Sequence, residues 1–132
     1  MTRSERILAG RALRFGLGEE MARLRSEEAA GDGGERRNAI TLVKDGPLRV
    51  VLVVMKAGTD MDEHATPGPA TVLVLEGRVR VGADGEQCTC ERGAMIVFEA
   101  GVAHTVAAEA DAALLLTVVD PRVVLDPGRV RA

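Results

Sequence analysis

Between Gly58 and His104 the chain is punctuated by glycines at intervals too short for helices, and its only two histidines hold fixed places in that punctuation. The first half reads Gly58-Thr-Asp-Met-Asp-Glu-His64, then Ala65-Thr66-Pro67-Gly68-Pro69, then the apolar run from Ala70 to Leu75 closed by Glu76-Gly77. The second half reads Gly93, five residues, Glu99-Ala100-Gly101, two residues and His104. Runs of four to eight β-branched and aliphatic residues bounded by turn formers are strands. A chain built this way points to an all-β architecture in which each histidine has a fixed place.

The rest of the sequence after Asn38 agrees. Ala39 to Lys44 and Leu48 to Met55 flank the turn Asp45-Gly46-Pro47, and their unbroken Val, Leu and Ile content predicts strands covered on both faces. Arg78-Val79-Arg80-Val81 alternates, which sends two valines inward and two arginines to water. Gly82-Ala83-Asp84-Gly85 is a hairpin turn. With Gln87 to Glu91, Ala94 to Phe98, His104 to Ala108 and Ala112 to Val119, about nine short strands result, the spacing of a sandwich or barrel. Cys88 and Cys90 lie two residues apart on one strand, so both side chains share a face. Paired ligands and a redox couple are two readings of such a pair; the third, small buried apolar residues, is favoured because free cysteine commonly behaves so and a disulfide between them would distort a flat strand.

Three segments follow: a helical arm and Gly-rich link over 1–38, the strand-bearing domain over 39–120, and an extended tail over 121–132. The arm carries a weak helical pattern from Glu5 to about Glu28, with Met21 and Leu24 as its seam and Gly16 and Gly18 dividing it. Gly31-Asp32-Gly33-Gly34 stops it. No apolar run approaches the ~18 residues that span a bilayer, and Arg11 interrupts Ile7 to Gly10 too soon for a secretory core. The expected setting is cytoplasmic, with no membrane partner. Nucleic acid is excluded as well, because the net charge is -3 and Phe15 and Phe98 are the only aromatic rings on which bases could stack.

The glycine and histidine spacing resembles the cupin family, whose first motif runs Gly, five residues, His-x-His, three or four residues, Glu, six residues, Gly. Its second motif runs Gly, five residues, Pro-x-Gly, two residues, His, three residues, Asn. Gly58, His64, Gly77, Gly93, Gly101 and His104 fall in register, and the likeness covers roughly 39–119. Thr66 stands in place of the second histidine, Ala70 of the glutamate, Glu99 of the proline and Ala108 of the asparagine. The resemblance implies an all-β cupin double-stranded β-helix, a jelly-roll-like barrel, preceded by a short helical segment.

In that family a divalent metal sits in the barrel on two histidines and a glutamate of the first motif and one histidine of the second. Carried over, only His64 and His104 remain as ligands for a divalent transition metal such as zinc, iron, manganese or nickel. If 59–66 is extended, Asp60, Asp62, His64 and Thr66 share a face, which makes Asp62 a candidate third ligand; a solvated carboxylate at the barrel rim is the competing reading. His64, His104, Thr66, Met95 and Phe98 are the expected pocket residues, with Val72 and Val74 as further apolar wall. Two functions are consistent with this. One is a single-domain cupin that binds a small molecule without an obligatory metal; the other is a metal-dependent oxygenase or isomerase acting on a small organic acid or sugar derivative. Cupins commonly pair through strands, so a homodimer is the expected assembly.

Overall fold

A computed structural model describes residues 6–30 and 36–123. The Gly31–Gly34 link and residues 124–132 of the expected tail lie outside them. One helix, α1 (Leu17–Ala30), precedes nine strands: β1 (Arg37–Asp45), β2 (Leu48–Met55), β3 (Asp60–His64), β4 (Ala70–Glu76), β5 (Arg78–Ala83), β6 (Glu86–Glu91), β7 (Met95–Phe98), β8 (His104–Ala108) and β9 (Ala112–Val119). They form two sheets, a five-stranded one in the order β1-β2-β9-β4-β7 and a four-stranded one in the order β3-β8-β5-β6. Every strand pair is antiparallel. This is the all-β jelly-roll barrel with a short helix at its N-terminal end.

The barrel core forms where the two sheets face each other. Val53, Met55, Val72 and Val74 from the larger sheet meet Val79, Val81, Val106 and Ala108 from the smaller. In β5 the alternation works as the sequence implies: Val79 and Val81 are buried, while Arg78 and Arg80 turn outward and pair with Glu109. The larger sheet also buries its outer face. Ile40, Leu42, Leu52, Val54 and Ala113 pack beneath α1 through Leu24, with Leu17 and Met21 beside it. Two buried faces explain why β2 and β9 are almost uninterrupted apolar runs.

The helix is shorter than the sequence pattern suggested. Residues 6–16 are not helical, and α1 begins only at Leu17 with Glu19 and Glu20 in its first turn, where carboxylates favour the positive end of the helix dipole. The stretch before it lies along β1 as a strap: the Lys44 amide donates to the Leu8 carbonyl at 2.9 Å, and Arg6 pairs with Glu20 at 3.0 Å. Tertiary contacts hold this segment where a propensity argument favoured another turn of helix. No helix among the described residues is long and apolar enough to cross a membrane.

Gly77 joins β4 to β5 with φ +82, and a Cβ there would stand 2.1 Å from the Asp111 carbonyl oxygen. Gly85, in the β5–β6 hairpin, has φ +75 and open space around it. The two positions separate backbone strain from collision. Gly85→Ala should cost about 1 kcal/mol, the left-handed penalty alone, whereas Gly77→Ala should cost more than about 2 kcal/mol because backbone must also move. Urea titrations of the two variants measure the difference.

Candidate functional site

The site begins as an irregularity in strand pairing. In β3 and β8, Asp60 faces Ala107 and Met61 faces Val106, but the next registered pair is His64 with His104. Three steps along β3 match two along β8, so one extra residue is accommodated between Met61 and His64. Such a bulge re-aims the side chains beyond it. Met61 and His64 therefore both reach the barrel interior, where strict alternation would have sent them to opposite faces.

Of the two readings of Asp62, the solvated carboxylate matches its position and the third ligand does not. Asp62 is exposed and lines a groove on the outer face of the smaller sheet with Asp60, Glu63 and Arg80, so its carboxylate does not join the histidines. It contributes its backbone instead, accepting a hydrogen bond from His64 Nδ1 at 2.8 Å. His104 Nδ1 likewise donates to the Val102 carbonyl at 3.0 Å. A carbonyl can only accept, so Nδ1 carries a proton in both rings, and in the neutral form of either imidazole Nε2 is an acceptor.

The two rings meet edge to face with centroids 4.3 Å apart, and Phe98 stacks on His104 at 4.0 Å with planes 8° from parallel. His64 is exposed at the mouth, whereas His104 is only 4% exposed. Burial depresses the His104 pKa below its ordinary 6.5, and the neighbouring His64 lowers it further against the opposing effect of the Val102 carbonyl. His104 is thus held neutral and orientated, with a flat apolar ring behind it.

A cavity of about 30 Å³ adjoins the pair, lined by Met61, His64, Thr66, Ala70, Thr71, Val72, His104, Val106, Leu116 and Val118. Thr66 stands at the rim, with its hydroxyl donating to the Gly68 carbonyl at 2.7 Å and its own carbonyl accepting from the Gly101 amide at 2.9 Å. Gly68 fits so closely under β9 that a Cβ would lie 2.0 Å from the Val119 carbonyl oxygen, and the Val119 amide donates to Pro69 at 3.1 Å. The Pro67-Gly68-Pro69 segment is a fixed wall.

Of the sequence-derived pocket set, His64, His104 and Thr66 reach the cavity, and Phe98 backs it. Met95 does not: it is 61% exposed on the outer face of β7, because Ile96 and Phe98 take the inward positions. Met61, Val106, Leu116 and Val118 were not anticipated. The uninterrupted apolar run of β9 hid which of its residues face inward, and only its register with β4, which sets Val72 opposite Leu116 and Ala70 opposite Val118, reveals it.

The donor set does not fit a tightly held metal. Two imidazole nitrogens converge, but Ala70 offers no ligand atom, Thr66 has its proton engaged, and among the described residues no group of three His, Cys, Asp or Glu side chains could hold an ion. Protein metal centres generally use three or more protein ligands.

Two facing antiparallel sheets in jelly-roll order, with two histidines paired at one mouth, are the arrangement of a cupin. The family model described as Cupin domain matches residues 51–120, and the chain belongs to that family. A conserved protein of unknown function from Streptococcus pyogenes is 25% identical, with TM-score 0.68 over 87% of this chain and 93% of that one. Salicylate 1,2-dioxygenase from Pseudoaminobacter salicylatoxidans, solved with gentisate, is 23% identical with TM-score 0.68, over 76% of this chain but 31% of its own. KdgF from Halomonas sp. is 19% identical with TM-score 0.60, over 70% and 86%. At these identities the last two speak for the fold alone. Among curated proteins none matches.

The buried imidazole has a pH signature. Because the folded pKa of His104 lies below the unfolded value, the unfolded chain binds more protons as pH falls through about 6.5. Its contribution to stability is therefore full above that pH and is lost on acidification until the folded pKa is passed. Denaturation midpoints between pH 8 and pH 5 should fall less steeply for His104→Gln than for the wild type; parallel profiles would contradict this assignment.

Proposed function

We propose that this cupin binds a small, largely apolar molecule carrying a hydrogen-bond donor, such as a hydroxyl, at the mouth of its barrel, without a resident metal. The observation that carries this reading is the fixed tautomer of the histidine pair. Both Nδ1 protons are bound by backbone carbonyls, so two Nε2 acceptors are offered beside walls of Val72, Val106, Leu116 and Val118. Apolar walls with few placed polar groups are the usual composition of a ligand site. The acceptors choose the polar end of the ligand and the walls its body.

The cavity of about 30 Å³ is far below the roughly 300 Å³ at which ligand pockets begin. Binding anything beyond a few heavy atoms therefore requires the mouth to open. Met61 is the wall residue best suited to give way, since an unbranched thioether repacks at little cost. The rim at Gly68 is braced against backbone and stays in place. The resting state is closed, and affinity is reduced by whatever opening costs.

The ring resonances of His64 and His104 provide the test. Titration with phenol and short-chain alcohols at pH 8 should shift both rings, and His104→Phe should weaken binding about tenfold, the value of one hydrogen bond to a buried acceptor. Shifts confined to His64, or unaltered affinity in the variant, would refute the proposal. Zinc, iron(II), manganese and nickel decide the competing oxygenase or isomerase reading. A metal at a hundredfold excess over its Kd stabilises by about 2.7 kcal/mol, and we expect no such rise in Tm. A rise reversed by chelator, with stoichiometric metal in the protein as purified, would establish the metal-dependent enzyme instead.

A further inference from the structure

Away from the barrel mouth, Cys88 and Cys90 bring their sulfurs to 3.7 Å on β6. The sequence places both on one face, and the structure keeps them there: Cys88 is paired across from Val81 and Cys90 from Val79, both core residues. Their surroundings nevertheless differ. Cys90 is 7% exposed within the barrel core, whereas Cys88 is exposed to solvent. Burial raises the Cys90 pKa, and the adjoining Cys88 sulfur adds to that.

We propose that Cys88 and Cys90 form a reversible dithiol–disulfide pair that reacts with hydroperoxides, with Cys88 as the attacking sulfur and Cys90 as the resolving one. The exposed Cys88 sulfur attacks the peroxide, the O–O bond breaks, and the departing oxygen leaves as an alcohol or water with the proton given up by the Cys88 thiol. Cys88 is then a sulfenic acid. The Cys90 sulfur attacks it, the S–S bond forms as the S–O bond breaks, and the hydroxyl departs as water with the Cys90 proton. Two thiols have lost two electrons in total to one hydroperoxide.

Two features make closure feasible. The sulfurs already approach within van der Waals contact, so they need only come together to about 2 Å. In addition, β6 lies at the edge of its sheet, bonded to β5 alone, so its backbone can pucker without breaking a second ladder. The flat strand strains the product, and a strained disulfide is easily reduced. The pair is therefore suited to switching. Since Cys90 belongs to the core cluster with Val79, oxidation also disturbs barrel packing.

Intact mass of the full chain after hydrogen peroxide and then alkylation under denaturing conditions tests this. The wild type should lose two hydrogens and both alkylatable thiols while remaining a single chain on a non-reducing gel, and dithiothreitol should restore both. Cys90→Ala should stop at a sulfenic acid trapped by dimedone. Cys88→Ala should slow oxidation of the remaining thiol by about tenfold or more, since only a buried sulfur is left. If Cys90→Ala is unstable, Cys90→Val, closer in volume, replaces it. A wild-type sulfenic acid that persists and still reacts with dimedone added after the peroxide is removed, two thiols still open to alkylation, a disulfide between two chains, or undiminished oxidation of Cys88→Ala would each overturn the assignment.

Discussion

The one extra residue in β3 is the constraint on which the site depends. Without it, the pairing that sets Met61 opposite Val106 would continue in strict alternation, and His64 would emerge on the outer face with Asp60 and Asp62. With it, His64 meets His104 across the strand pair and the rings touch at 4.3 Å. The ladder loses some regularity where the bulge sits. Part of the loss is made good locally, because the freed carbonyl of Asp62 accepts the His64 Nδ1 proton. A single insertion thus supplies the second imidazole, its tautomer and its orientation.

The barrel makes that local event useful. β8 lies between β3 and β5 inside the smaller sheet, so His104 is rigidly carried, whereas β3 at the edge has one partner only. Phe98 approaches from the other sheet, at the end of β7, and its ring closes the space behind His104. Ala70 and Val72 supply wall from β4, and Leu116 and Val118 from β9. A polar pair is therefore placed at the seam between two sheets whose remaining contacts are apolar. Within the described core His104 is the buried polar residue, and its environment is correspondingly exacting.

Much of this was legible in the sequence because glycine reports backbone geometry directly. Gly58, Gly77, Gly93 and Gly101, chosen from spacing, all adopt positive φ, so the turns and the strands between them were fixed by residues with a steric reason to be there. Patterns that rest on parity were less readable. The face of Asp62 relative to His64 was misread because a period of two cannot foresee a bulge, and that of Met95 because a four-residue strand, equally apolar on both faces, does not declare which side is inward. The arm before Leu17 was misread for another reason: it is held by the Lys44 to Leu8 and Arg6 to Glu20 contacts, which are long in sequence and invisible to local propensity.

The substitutions at the family's ligand positions change what kind of ligand suits the barrel. Ala70 is 5% exposed and gives wall where a carboxylate would give charge, and Thr66 closes its hydroxyl onto Gly68. Removing charge from the mouth lowers the polarity around His104, which strengthens each remaining electrostatic contact and makes an unmatched acceptor more costly, by about 1–3 kcal/mol. The Nε2 atom of a neutral, nearly buried His104 is such an acceptor. Its free energy favours any donor that can enter, and Phe98 fixes the ring plane so that the direction of approach is set before the ligand arrives. On the proposed reading, an incomplete metal-ligand set and a site suited to neutral donors have the same physical cause.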